Sequence, residues 1–269
     1  MADRLKNKIA IITGAGTRGE ITGIGQASAV LMAKEGAKIL INDIDVKRAK
    51  STLEQVKSEG GEGVVFIADC TKENGCKAIV DKCKKHFGSI DILFNNVGGI
   101  GSGMVTEIDE KSWQNSIDYN LKSAVMMSKH VVPIMSESMG GSIINLSSID
   151  AIRAGATRNV PYSVAKAGVS HLTRLMAVHH GRENIRVNCL APGHVYGSFP
   201  NLRGKMTEEL RELRRKTGPL GSEGTPWDVA WAVVFLASEE SRWISGTVIP
   251  VDAGVHAASP LSVWDNLNE

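Results

Sequence analysis

Two patterns in the 269-residue chain predict a doubly wound α/β fold. Short runs rich in isoleucine and valine alternate strictly with longer amphipathic segments, as parallel strands joined by right-handed helical crossovers do. Those runs also lack polar alternation, which marks strands whose sheet is covered on both faces. A third observation, a glycine-rich stretch between the first run and the first amphipathic segment, sits where such folds carry a phosphate-binding turn. The expected architecture is a Rossmann-like, mostly parallel seven-stranded sheet with helices on both faces.

The seven predicted strands are Ile9–Thr13, Lys38–Asn42, Val64–Ile67, Ile92–Phe94, Ser142–Leu146, Arg186–Leu190 and Thr247–Val251. Each is short, and β-branched or aliphatic residues dominate it. Helical patterns fill the intervals at 24–35, 46–59, 72–87, 110–138, 160–181 and 226–237. No composition shift, linker or internal repeat divides the chain, so one cofactor-binding and catalytic domain is expected over 1–269. The long interruption Val195–Gly224 has glycine and proline near its ends and a charged helical centre. A segment of that length after a late strand reads as a substrate lid. Its cluster Arg211, Arg214, Arg215 and Lys216, interleaved with Glu208, Glu209 and Glu212, reads as the outer face of a short helix. Met206 and Leu210 would give the lid an apolar side.

Composition narrows the function classes. With 42% hydrophobic and 22% charged residues and a net charge of +2, nothing calls for a nucleic-acid or membrane partner. Met1–Lys8 is polar, the run Ile9–Ile12 is too short for a signal peptide, and no segment approaches the ~20 apolar residues that span a bilayer. Cys70, Cys76, Cys83 and Cys189 form no ligand pattern and read as reduced thiols of a cytoplasmic protein. No metal site is expected.

The chemistry resides in two places. The first strand runs into Thr13-Gly14-Ala15-Gly16-Thr17-Arg18-Gly19-Glu20-Ile21-Thr22-Gly23-Ile24-Gly25 and then a helix. Glycines there allow a tight turn and let backbone approach a pyrophosphate, whose charge meets the helix N-terminus. Asp43, ending the second strand, would accept hydrogen bonds from the adenosine ribose and repel a 2′-phosphate, favouring NAD over NADP. Arg18 pulls the other way, since a guanidinium could pair with that phosphate. More than a hundred residues downstream, Tyr162 and Lys166 lie at i and i+4, on one helical face. A lysine charge there favours phenolate over phenol, and would lower the tyrosine pKa toward the range of proton exchange with an alcohol or carbonyl oxygen.

Together, the glycine loop and the YxxxK pair make the chain resemble a short-chain dehydrogenase/reductase over nearly its whole length. Asn95-Asn96-Val97-Gly98 is similar to the family's NNAG motif, Asn120 to the asparagine of its catalytic tetrad, and Ser147-Ser148 to the position of its catalytic serine. Pro192-Gly193 resembles the motif beside the nicotinamide, Val251-Asp252-Ala253-Gly254 the closing VDGG, and Asp69 the acidic residue at adenine. The resemblance implies that Tyr162 is the general acid/base and that Ser148 holds the reacting oxygen, with Ser147 as the fallback. Lys166 would bind the nicotinamide ribose and lower the Tyr162 pKa, and Asn120 would hold a water extending a proton relay. The same resemblance implies a cofactor site of Gly14, Gly16, Gly23, Ile24, Asp43, Asp69, Cys70, Asn96, Gly98, Tyr162, Lys166, Pro192, Gly193 and Val195. It implies homo-oligomers, usually tetramers, with the stripe Val125, Met126, Val131, Val132 and Met135 fitting an interface or the core.

Three departures matter. The second pair of glycines, Gly23 and Gly25, comes five residues late, which resembles the enoyl-acyl-carrier reductases of the same superfamily. Their tyrosine and lysine are separated by six residues rather than three, so the Tyr162–Lys166 spacing favours alcohol/ketone chemistry over C=C reduction. After Pro192-Gly193, Gly197 stands where the family often carries threonine, Ser198 could substitute, and His194 could touch substrate or be a loop histidine. Asp150 and Arg153 could bind a polar substituent, pair with each other, or pair with Arg158. The expected function is an NAD-dependent alcohol dehydrogenase or ketone reductase, acting on a hydrophobic small-molecule substrate of cyclic or terpenoid size. Alternatives are an enoyl-thioester reductase and a non-catalytic NAD-binding sensor.

Overall fold

The computed structural model describes residues 3–99, 101–155, 157–198 and 206–268, so residues 199–205 of the expected lid lie outside the described residues. Seven strands form one sheet in the order β3-β2-β1-β4-β5-β6-β7. They are β1 (Ile9–Ile12), β2 (Lys38–Asp43), β3 (Glu62–Ile67), β4 (Ile92–Asn95), β5 (Gly141–Leu146), β6 (Ile185–Pro192) and β7 (Val248–Val251). Every pairing is parallel, so the sheet is all-parallel rather than mostly so. The order reverses between β1 and β4, and that crevice is where open α/β sheets bind ligands.

The β1 residues show why the sheet must be covered twice. Ala10 and Ile12 face one core cluster, while Ile9 and Ile11 face another. The first cluster is completed by α1 (Ile24–Lys34) and α2 (Val46–Ser58), together with a late helix, α8 (Pro226–Ala237). The second takes residues from α3 (Glu73–Phe87), α5 (Ser123–Glu137) and α6 (Val160–His180). Val131, Val132 and Met135 of the α5 stripe are buried in that second cluster, which assigns them to the core. Among the described residues no helix is long and apolar enough to cross a membrane.

The region expected as one helix over 110–138 is instead three pieces. α4 (Glu110–Ile117) passes through a π-turn at Asp118–Lys122 into α5. The widened turn places Asn120 where its Nδ2 donates to the Ser116 carbonyl at 2.9 Å, and π-turns of this kind recur at functional sites. The remaining helices are α7 (Glu208–Lys216), inside the expected lid, and a short C-terminal α9 (Trp264–Asn268).

A buried polar chain ties the two middle strands to the helices on one face. Asn95 Nδ2 donates to Asn145 Oδ1 at 2.9 Å and reaches Ser128 Oγ at 3.3 Å, and Asn145 Nδ2 donates to Thr173 Oγ1 at 2.9 Å. Removing one member of such a network leaves its partners desolvated and unpaired. Asn145→Ala is therefore expected to cost about 2–3 kcal/mol in urea denaturation. A loss below about 0.5 kcal/mol would show that the network does not hold β4 and β5 to α6.

Candidate active site

At the β1–β4 crevice, the glycine turn is held from both sides. Asn96 Nδ2 donates to the carbonyls of Thr13 (3.0 Å) and Gly14 (2.8 Å), while the amides of Asn96 and Val97 donate to Thr13 Oγ1. Gly14 has φ +61° and would bring a Cβ to 2.9 Å from Val97 Cγ2, so neither its conformation nor its space admits a side chain. A Cβ on Gly25 would fall 2.5 Å from Asn96 Nδ2 and 2.6 Å from the Gly14 carbonyl. The five extra residues loop outward. Thr17 Oγ1 closes their base by donating to Gln26 Oε1 (2.6 Å) and accepting from the Gly23 amide (3.0 Å). Their far side meets the segment after β6, where the Ser198 amide donates to the Thr22 carbonyl.

Three predicted site residues stand at neighbouring strand ends. Asp43 accepts from the amides of Gly16 and Asp45, both at 2.9 Å, one on each carboxylate oxygen. Each oxygen keeps acceptor capacity toward the cleft. Asp69 accepts from the amide and hydroxyl of Thr71. Cys70 beside it is buried, and burial pushes its thiol well above the ordinary range, so it serves as an inert wall.

α6 and the turn after β5 bring the reactive groups together. The Ser148 hydroxyl lies within reach of the Tyr162 phenol and acts on it. Ser147 faces away, donating to the Lys166 carbonyl and meeting Ser170 Oγ, both at 2.9 Å. Lys166 Nζ donates to the Leu146 carbonyl at 2.6 Å and lies 5.9 Å from the centroid of the Tyr162 ring. A Cβ on Gly98 would stand 3.1 Å from Asn120 Oδ1 and 3.3 Å from Lys166 Nζ, so the glycine lets these two approach. Asn120 Oδ1 accepts from the Gly99 amide, and both its Nδ2 hydrogens go to carbonyls of Gly99 and Ser116. A relay water would therefore have to use the remaining acceptor capacity of Oδ1 or the backbone, not the amide hydrogens.

The charge balance differs from the sequence expectation. Lys166 was expected to lower the Tyr162 pKa, yet burial pushes Tyr162 up to about 12, with the Asp150 charge adding to the rise and the Ser148 hydrogen bond opposing it. Burial also pushes Lys166 down to about 8. The reason is geometric: Nζ is turned to Leu146, and desolvation of each group outweighs their attraction.

At the other end of the cleft, Pro192 and Gly193 close β6, and a Cβ on Gly193 would lie 2.4 Å from Asp252 Cβ. The Asp252 carboxylate in turn accepts from the amides of Gly254 and His256, which gives the VDAG stretch a structural role at this wall. Asp150 accepts from Asn159 Nδ2 at 2.8 Å, and Arg158 pairs with Glu107, so neither expected pairing of Arg158 nor one between Asp150 and Arg153 is present among the described residues. Of the arginines on α7, Arg211 pairs with Glu208 and Glu223, and Arg215 with Glu208 and Glu212. Arg214 departs from the expected outer face and lines the cleft.

One cleft is thus lined by every predicted cofactor residue and by Ser148, while Asn120 sits behind Gly98. A nicotinamide dinucleotide fits this lining. α1 begins at the cleft with no side-chain cap on its N-terminal amides, beside a turn in which Gly14 must be glycine, and a carboxylate ends the next strand. Sequence reasoning missed Thr13 and Thr17, whose hydroxyls set the turn, and Arg214, whose direction depends on helix docking. Among the described residues no cluster of side chains could hold a metal, and all four cysteines are free and buried.

Comparison with known proteins agrees with this geometry. The family model described as enoyl-(acyl carrier protein) reductase, of the short-chain dehydrogenase type, matches residues 19–256. An uncharacterized oxidoreductase of Bacillus subtilis is 38% identical over 94% of this chain and 93% of its own. A 3-oxoacyl-[acyl-carrier-protein] reductase of Thermotoga maritima is 35% identical, covering 94% of this chain and 99% of its own. A solved structure of 7α-hydroxysteroid dehydrogenase with NADH and 7-oxo glycochenodeoxycholic acid superposes with a TM-score of 0.87 at 32% identity, covering 94% of this chain and 96% of that one. The chain belongs to the short-chain dehydrogenase/reductase family and is an oxidoreductase of that family.

The lowered Lys166 pKa has a measurable consequence for stability. Below about pH 8 the folded protein holds a buried ammonium that the unfolded chain would solvate, which destabilises the fold. Between about pH 8 and the ordinary lysine value of 10.5 the folded state sheds that proton first, so the penalty fades as pH rises. Lys166→Met should be more stable than wild type by about 1–3 kcal/mol at pH 7, with the gap closing toward pH 10 in chemical denaturation. A less stable variant at pH 7 would mean that the Leu146 contact outweighs desolvation.

Proposed function

We propose that the protein interconverts a secondary alcohol and its ketone using NAD(H), with Tyr162 as general acid/base, Ser148 as the group that holds the reacting oxygen, and one domain carrying both tasks. The observation that carries this reading is the pair of hydroxyls of Tyr162 and Ser148, brought together beside Lys166 in the cleft where α1 begins. A nicotinamide bound there supplies or accepts the hydride. Tyr162, with its pKa near 12, is protonated at neutral pH and can give its proton to a ketone oxygen. Ser148 donates to that oxygen as charge builds on it. Lys166 has one hydrogen on Leu146 and others left for a ribose hydroxyl, and its Nζ next to Gly98 and Asn120 provides the route by which the Tyr162 proton is replaced.

The names of two relatives support the reading, since a 3-oxoacyl reductase and a hydroxysteroid dehydrogenase both act at a carbon bearing one oxygen. NADH in the second also supports NAD here, as does the Asp43 carboxylate at the end of β2. Enoyl reduction, named in the family model's description, fits less well. The Tyr162–Lys166 spacing and the Ser148 hydroxyl suit an oxygen that gains or loses a proton. A sensor without turnover would have no use for the full set of Asn120, Ser148, Tyr162 and Lys166. A homotetramer is part of the proposal, supported by exposed Val164, Leu175 and Val178 on α6. So is a cytoplasmic location, supported by the four free thiols.

Tyr162→Phe should lose on the order of 10²–10⁴ in kcat for ketone reduction while NADH binding persists. Full turnover by that variant would remove Tyr162 from the mechanism, and turnover of enoyl thioesters with none of ketones would replace the reading. For cofactor choice, Asp43→Ala should shrink the preference for NADH over NADPH, measured as a ratio of dissociation constants, by at least about tenfold. An unchanged ratio would place the discrimination elsewhere, with Arg18 the first candidate.

A further inference from the structure

The cleft carries cationic charge that the proposed chemistry does not use. Arg214 lines the same cleft as Tyr162 and Ser148, and among the described residues it forms no ion pair. The one acidic neighbour acting on it, Glu223, is taken by Arg211, whose Nε and Nη2 reach the two carboxylate oxygens at 3.0 and 2.6 Å. What Arg214 does hold is modest: the Val195 carbonyl at 3.3 Å and the thioether of Met206 at 3.3 Å. A sulfur is a weak acceptor, and a guanidinium has five donors to satisfy. Leaving a partly desolvated cation so poorly matched costs stability, and the usual reason to keep one is a ligand anion.

A second cation stands nearby. Arg153 follows the turn Ile149–Ala151 that Ser148 begins, and its Nε is buried with no partner among the described residues. The side chain's other hydrogen bond is to the neighbouring Ala154 carbonyl, at 3.4 Å. Both arginines act on His194, the residue after Pro192-Gly193. His194 meets Thr217 Oγ1 at 3.3 Å and is held below its ordinary pKa by burial first and then by Arg214 and Arg153. The facing carboxylate, Asp150, is already engaged by Asn159. So Arg214 lines the cleft and shares His194 with Arg153 as an electrostatic neighbour, while Glu223 is held by Arg211 and Asp150 is hydrogen-bonded to Asn159.

We propose that Arg214, with Arg153, binds a carboxylate on the substrate, so that the natural substrates are hydroxy acids and their oxo acids rather than neutral alcohols. This rests on the alcohol/ketone reading above, and it replaces an apolar lid with a charged one: Met206 supplies a sulfur contact to Arg214, and Leu210 on α7 remains partly exposed. A carboxylate takes two parallel hydrogen bonds from one guanidinium, which fixes the carbinol carbon's distance and direction from the clamp as well as adding affinity.

The test uses matched pairs: 2-, 3- and 4-oxo carboxylic acids, each against its methyl ester. Binding to the protein–NADH complex is read by NADH fluorescence, and turnover by absorbance. At least one acid is expected to bind and turn over better than its ester by on the order of 10- to 100-fold, the worth of a charge-assisted hydrogen bond. Arg214→Gln should bring that ratio close to one, mainly through KM, and Arg214→Lys should restore part of it. NADH dissociation constants should change far less than the acid/ester ratio. Esters that bind as well as their acids across the wild-type panel would overturn the proposal, whatever the variants do. Parallel loss of NADH binding in Arg214→Gln would overturn it too, by assigning Arg214 to cofactor phosphates. If the acids bind preferentially yet nothing turns over, the carboxylate clamp stands and the dehydrogenase reading fails.

Discussion

The cleft depends on a single clamp at the point where the strand order reverses. Asn96, just past β4, uses its side-chain amide to hold the carbonyls of Thr13 and Gly14, while the Thr13 hydroxyl receives two amides from the β4 side. Without it, the turn after β1 and the turn after β4 would be two independent loops at the edge of a crevice. With it, the start of α1, the Gly98 approach to Lys166 and the Asn120 contact to Gly99 share one frame. Such partly buried bonds, several sharing one side chain, cost most when half broken, which makes the frame rigid rather than adjustable.

Rigidity is what the reactive pair requires. Tyr162 and Lys166 are each desolvated, and desolvation moves their proton affinities in opposite directions, phenol upward and ammonium downward. Their pKa values, ordinarily close together, are driven apart to about 12 for the phenol and about 8 for the ammonium. At neutral pH Tyr162 keeps its proton, and the stability lost by burying the Lys166 ammonium is offset by the two core clusters on either side of the sheet. The same trade is common where activity needs a strained electrostatic environment.

The α7 helix shows how far a pattern of charges can be read. Its alternation of Glu and Arg suggested a uniformly solvated face, and for Arg211 and Arg215 that is what the ion pairs show. Arg214 lies one residue from Arg215 and about 100° around the helix, so it points another way. Which direction faces the cleft depends on how α7 docks after β6, and no repeating pattern in the intervening sequence sets it. The π-turn at Asp118–Lys122 was equally hidden: its residues continue the helical periodicity, and one added backbone position leaves no mark in the apolar spacing.

Periodicity and composition determined the sheet and its crossovers, because two-faced burial demands uninterrupted aliphatic strands and the chain supplies them at β1, β2, β4, β5 and β6. Glycine at 14, with its positive φ, and the i, i+4 relation of Tyr162 to Lys166 were legible for the same reason: both are local rules of backbone geometry. What only the tertiary structure decided is every property that depends on distance between remote segments. The choice of Ser148 over Ser147 as the hydroxyl facing Tyr162 is one, and the opposed shifts of Tyr162 and Lys166 are another. The charge of Arg214, without an ion pair among the described residues, is a third. Desolvation and Coulomb attraction act through space, so a sequence can name the charged groups while only their packing sets which of the two effects prevails.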